Sequence, residues 1–93
     1  MEIKHEDYGN KGRFYYELNG KEKGLMTYSH AGADKIIIDH TEVDPSLKGQ
    51  GIGYMLVEAS VDYARANSIK ILPLCPFAAA VFKKRTKYND VLF

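Results

Sequence analysis

Apolar and polar positions change period near the middle of the chain. "GRFYYEL" (12–18) is rich in aromatics and reads as a strand. Asn19-Gly20 follows it, the pair that a two-residue type I′ hairpin demands. "KEKGLMTYSHA" (21–31) is then the return strand, "AGAD" (31–34) a second turn, and "KIIIDHTEV" (35–43) a further strand, apolar first and polar later. "EIKHED" ahead of these makes a short first strand. From Ile52 the spacing becomes helical: Ile52, Met55, Leu56, Ala59, Tyr63 and Ala66 fall on one stripe, and Asn67 is the expected C-cap. "IKILPL" (69–74) is a short buried strand that should lie parallel to the strand before the helix, joined by a right-handed crossover. "PFAAAVFKKR" (76–85) reads as a second helix with Pro76 in its first turn. The expected fold is α+β, a mostly antiparallel mixed sheet of about five strands with two helices, in the order β-β-β-β-α-β-α.

Composition narrows the classes. The 93 residues make one small domain, with 45% hydrophobic residues and a net charge of +1. That balance gives no electrostatic case for nucleic acid or a membrane surface as partner. A single cysteine, Cys75, excludes an internal disulfide and a Cys-rich zinc site and suits a reducing compartment. No apolar run approaches the ~18–20 residues of a membrane span, and the N-terminus lacks the apolar core of a signal peptide. The expected location is cytoplasmic, and no metal site is expected.

The chemistry concentrates in "DPSLKGQGIGYM", where Gly49, Gly51 and Gly53 alternate between a strand and a helix N-terminus. Unpaired N–H groups and a positive dipole end attract phosphate there, and glycines let the backbone approach it. The bland alternative is a tight turn with no ligand. The Rossmann pattern fails because Tyr54 stands at its third glycine, and the P-loop fails because no Gly-Lys-Ser/Thr occurs.

"VDPSLKGQGIGYMLVEASVDYARANSIKIL" resembles the coenzyme A pyrophosphate motif of the GNAT N-acetyltransferases, Arg/Gln-x-x-Gly-x-Gly/Ala. Gly51 and Gly53 match its glycines, and Lys48 stands where Arg or Gln is usual. With "KILPLCPFAAAVFKK…Y" the resemblance covers roughly residues 36 to 93 and points to the very small, single-domain branch of that superfamily, with residues 1–93 as one acetyl-CoA-binding domain. The resemblance implies acetyl transfer from acetyl-CoA to an amine acceptor; 93 residues leave little material for a substrate lid, so the expected acceptor is large, such as a protein, and brings its own surface. A CoA-binding regulatory module without turnover is the alternative, and an unrelated adaptor with a structural glycine loop is a third reading.

Carried over residue by residue, the pantetheine arm would meet Glu42 and Val43. The pyrophosphate would meet Lys48, Gly49, Gln50, Gly51, Ile52 and Gly53. Cys75, following the fifth strand, would stand near the acetyl group as contact or nucleophile; a small buried hydrophobe is its ordinary alternative. Phe82 falls at the cofactor-side position where larger members carry a proton-donating Tyr, which leaves water, Cys75 or Tyr88 for that role. Glu42 is the first choice of base and His40 the second, both on one strand face by alternation, with Asp39 and Thr41 on the other unless a bulge intervenes. For His40 an ordinary sheet-face histidine is the plainer reading, as a solvated lysine is for Lys48. His5 and His30 read as surface. Phe14, Tyr15, Tyr16 and Tyr28 are core in part, with an acceptor groove as the alternative.

Overall fold

The computed structural model describes residues 2–93. Its strands are β1 (Lys4–Asp7), β2 (Lys11–Leu18), β3 (Lys21–His30), β4 (Lys35–Val43) and β5 (Lys70–Pro73), with helices α1 (Ile52–Asn67) and α2 (Pro76–Lys84). They form one five-stranded sheet in sequence order. The first three pairings are antiparallel, and β4 pairs β5 in parallel across the α1 crossover. Asn19 and Gly20 both have positive φ (53° and 76°), as the hairpin turn requires.

Phe14, Tyr16, Met26, Tyr28, Ile36 and Ile38 share one face of the sheet and join one core with both helices. Among the described residues no helix lies on the opposite face, which carries Arg13, Tyr15, Leu25 and Thr27. Tyr15 survives there because the Arg13 guanidinium lies 4.0 Å above its ring. So Tyr15 stands apart from Phe14, Tyr16 and Tyr28, which are core.

The buried stripe of α1 differs from the expected one. It runs through Ile52, Leu56, Val57, Ser60, Val61 and Ala64, with Met55, Ala59 and Tyr63 at its margin and Ala66 exposed. The helix is wedged between the sheet and a C-terminal 3₁₀ segment, Thr86–Val91, so a second side of it is covered. Its C-cap is Ser68 in the left-handed conformation, whereas Asn67 is the last helical residue and bonds back to the Tyr63 carbonyl.

One irregularity decides which way β4 points its polar end. Thr27 faces His40 while Tyr28 faces Ile38, leaving Asp39 as an extra residue. Strict alternation would have carried His40 and Glu42 onto the core face with Ile36 and Ile38. The bulge turns them outward, opposite Thr27 and Leu25, and turns Thr41 inward opposite Met26. His40 and Glu42 still share a face, but Asp39 does not join Thr41: its carboxylate accepts from Ser29 Oγ on the outer side (2.8 Å).

Two histidines read as surface have partners. His5 stacks on Phe14 (centroids 4.2 Å, 9° between planes) and donates from Nε2 to the Tyr28 hydroxyl (2.6 Å). Tyr28 in turn donates to Asp7 Oδ2 (2.7 Å), which also accepts from His30 Nε2 (2.6 Å). The hydrogen-bonded partners lie more than twenty residues apart, so no local pattern announces them.

Candidate functional site

β4 and β5 part company halfway along. They are paired from Lys35 to Ile38, where the amides of Leu74 and Cys75 both donate to the Ile38 carbonyl (3.2 and 3.1 Å). There β5 ends and Pro76 starts α2, while β4 continues to Val43 with no strand on that edge among the described residues. An open strand edge offers backbone groups to any extended amide that lies along it.

The open edge leads to the start of α1. After β4 the Asp44 carboxylate accepts from the Ser46 amide and hydroxyl (2.8 and 2.6 Å), and the chain makes a 3₁₀ turn over Pro45–Leu47. The Lys48 and Gln50 amides are spent on the Pro45 and Leu47 carbonyls (3.2 Å each). Gly49 and Gly51 then have φ of +84° and +78°, a region that glycine enters without strain. Among the described residues the amides of Gly49, Gly51, Ile52, Gly53 and Tyr54 have no backbone acceptor, whereas Met55 already bonds to the Gly51 carbonyl. No acidic side chain occupies the first turn of α1. Four consecutive free amides at the positive end of a 16-residue helix make a cradle for an anion.

A cleft of about 410 Å³ joins the two features. Its walls are Thr41–Val43 of β4, the glycine loop, the first turn of α1 and Phe77 of α2. Tyr54 stands edge-on to Phe77 (5.8 Å), with the Arg85 guanidinium 4.6 Å above its ring. Of the residues singled out in the sequence, Glu42, Val43, Lys48, Gly49, Gly51, Ile52 and Gly53 line this cleft together. Gln50 does not line it and is exposed in the turn. Tyr54, Phe77, Thr41 and Leu47 complete it, and none was singled out. Tyr54 carried a signal that could have found it, one helical residue after the glycines, whereas the inward turn of Thr41 depends on the bulge in pairing with β3.

The glycines divide by role. A β-carbon at Gly49 or Gly51 would meet nothing within 4 Å, so their φ is the constraint. Gly53 has ordinary helical φ, but a β-carbon there would lie 2.5 Å from Phe77 Cζ. Gly53 is required by packing.

Cys75 is 5% exposed at the start of α2, behind Thr41 and Phe77 and not itself on the cleft wall. Burial pushes its thiol up, but the Thr41 hydroxyl and the amides of Ala78 and Phe77 outweigh that and bring the pKa below the ordinary value. Thr41 Oγ1 is itself buried without a well-formed hydrogen bond.

Phe82 and Tyr88 lie elsewhere. Phe82 is 2% exposed in the core, edge-on to Tyr88 at 6.0 Å, and it is not among the residues lining the cleft. The Tyr88 hydroxyl donates to Glu58 (2.9 Å) and accepts from Arg85 (3.2 Å), fixing the C-terminal segment to α1. That hydroxyl is occupied and outside the cleft. Glu42 and His40 are solvent-facing on the outer side of β4, 3.4 Å apart.

Known proteins share the family and the fold. A family model described as GCN5-related N-acetyl-transferase matches residues 13–91. The NMR structure of a GCN5-like protein from Staphylococcus aureus superposes with a TM-score of 0.77 at 38% identity, over 99% of this chain and 87% of that one. The ribosomal-protein-S18-alanine N-acetyltransferase of Escherichia coli shares the fold at 19% identity and a TM-score of 0.70, over 84% of this chain and 53% of its own. Among curated relatives, Protein NATD1 of Xenopus tropicalis is 28% identical over 64 residues, 68% of this chain. The matched stretch spans 59% of that protein's length.

Proposed function

As this chain belongs to the GCN5-related N-acetyltransferases, we propose that it carries the acetyl group of acetyl-CoA to an amine acceptor. One observation carries the reading: the edge of β4 left open beyond Ile38 runs straight to four unpaired amides at the start of α1. The open edge suits the two amides of a pantetheine arm. The Gly51–Tyr54 amides suit a pyrophosphate, and Lys48, which has no ion-pair partner among the described residues, suits its charge. Acetyl-CoA supplies the activated thioester; the chain's part is to orient it and manage protons.

In this reading Glu42 accepts a proton from the incoming ammonium, directly or through a water. The free amine forms its bond to the thioester carbon, the C–S bond breaks, and the thiolate takes up the remaining proton. Cys75 stands behind the cleft wall, near Thr41, and serves as a positioning residue or, if it reaches the thioester, as an intermediate carrier of the acetyl group. Residues 1–93 act as one acetyl-CoA-binding domain working in the cytoplasm.

A second reading has one observation in its favour. Phe82 is sealed in the core and the Tyr88 hydroxyl is engaged by Glu58, so neither offers a proton to a departing thiolate. A module that holds CoA without robust turnover would need no such group.

Calorimetric titration with CoA tests the shared premise. Gly51→Val forces a β-branched residue to φ +78°, a strain relieved only if the loop backbone and its amides shift. The folded variant should lose at least tenfold in CoA affinity, and an unchanged affinity ends the assignment. Thiol release from acetyl-CoA with a panel of amines then separates enzyme from module.

A further inference from the structure

Tyr54 belongs to two features at once. Its amide is the last of the four free donors at the start of α1, and its ring carries the Arg85 guanidinium 4.6 Å from its centroid. From this arrangement we propose that Arg85 takes the 3′-phosphate of CoA and that this contact makes the chain discriminate CoA from its 3′-dephospho form. The inference rests on the acetyl-CoA reading above.

Arg85 is held in place before any ligand arrives. It stands at the junction of α2 and the C-terminal 3₁₀ segment. Its amide donates to the Val81 carbonyl (2.9 Å), and its carbonyl accepts from the Tyr88 amide (3.0 Å). Nη1 donates to the Tyr88 hydroxyl (3.2 Å), which in turn donates to Glu58 on α1 (2.9 Å). A side chain fixed in this way loses little rotamer freedom when it binds.

What Arg85 lacks points to a ligand. It is half-buried, yet among the described residues no carboxylate lies within ion-pair distance of its guanidinium. Nη1 is the only one of its side-chain nitrogens with an acceptor among those residues. The other donors of the planar fork are free, and that fork matches the oxygens of a phosphate. Arg65 makes the contrast. It also ties the C-terminal segment to α1, but it does so through both carboxylate oxygens of Asp90 (2.9 Å each). An arginine that only clamps that segment is given a carboxylate; Arg85 is not.

CoA carries two anionic groups, the pyrophosphate and the 3′-phosphate, separated by one ribose. The cradle and Lys48 suit the first. A second fixed cation, one tyrosine side chain away, suits the other. Charge directs the ribose to this side. A smaller cleft of about 200 Å³, which shares Glu42 and Val43 with the larger one, carries Glu22, Glu42 and Asp44 against Lys23 and disfavours a phosphate. Residues 83–87 instead hold Lys83, Lys84, Arg85 and Lys87 with no acid among them. The three lysines are exposed, so their charge is screened and mobile, whereas Arg85 offers a fixed fork.

Calorimetric titration of the whole protein with CoA and with 3′-dephospho-CoA tests the contact. The native chain should bind CoA about tenfold more tightly, the worth of a charge-assisted hydrogen bond. Arg85→Gln should bring the two affinities within about twofold by weakening CoA alone, and Arg85→Lys, which keeps the charge without the fork, should fall between. Lys83→Gln removes the same charge from an exposed neighbour and should leave the ratio unchanged. Each ratio is taken on one folded protein, so a loss of stability cannot imitate the effect. If neither ligand binds the native chain, the acetyl-CoA reading falls and this inference with it. If both bind it equally, that reading stands and the 3′-phosphate contact is overturned. The contact is equally overturned if Arg85→Gln weakens both ligands alike, or if Lys83→Gln erases the preference as fully as Arg85→Gln does.

Discussion

The ring of Phe77 lies across the Cα of Gly53, so that a β-carbon on that glycine would fall 2.5 Å from Cζ. The first turn of α1 and the first turn of α2 are thereby fitted to one another at the mouth of the larger cleft. Gly53 matches the second glycine of the family motif, but in this chain its constraint is an aromatic ring before it is any ligand.

Gly53→Ala should therefore cost ~1–3 kcal/mol as an overpacking change. The ring is 38% exposed and has room to move, which favours the low end of that range. Phe77→Ala in the same chain should recover most of the loss. Urea unfolding of both single variants and the double gives the coupling directly; an additive double variant would mean that ring and glycine are not in contact.

Cys75 should ionise below an ordinary thiol but react slowly, because it is only 5% exposed. The pH midpoint of iodoacetamide labelling, rather than its absolute rate, reports the shift. Thr41→Val removes the hydroxyl that favours the thiolate, so the midpoint should move upward. On the proposed reading bound CoA slows labelling. A midpoint indifferent to Thr41→Val would place the cause in the α2 amides alone.

Phe82→Leu should act on stability. The side chain is sealed against Tyr88, and a near-isosteric apolar replacement costs roughly 1 kcal/mol. Thermal unfolding should register it, while CoA affinity per folded molecule stays within twofold. A selective loss of affinity would bring Phe82 back to the cleft.

Acid stability should depend on Asp7. The Tyr28 hydroxyl and then His30 hold its carboxyl well below the usual carboxylate range. A depressed folded pKa contributes stability that is present above the unfolded value of about 4 and is lost as pH falls below it. His5, lowered by partial burial, adds a loss in the same direction that begins near its unfolded value of about 6.5. Asp7→Asn should lower stability at pH 7 and flatten the decline below pH 4. An equally steep decline in the variant would assign the acid limb to other carboxylates.

Periodicity and turn chemistry were enough for the architecture. Strand alternation, Asn19-Gly20 and the switch to helical spacing at Ile52 each act over a few residues, and such signals survive in a bare sequence. The glycine loop was legible for the same reason, since φ at Gly49 and Gly51 is a local demand. The tertiary structure alone decided the rest. The extra residue at Asp39 arises from pairing with β3, and it moves Glu42 to the outer face and Thr41 to the inner one. Gly53 answers to a ring 24 positions later, Asp7 to a tyrosine and a histidine two strands away, and Tyr88 to Glu58 on another helix. Each is a contact between side chains that only the folded backbone brings within a few ångströms, and sequence spacing carries no record of such distances.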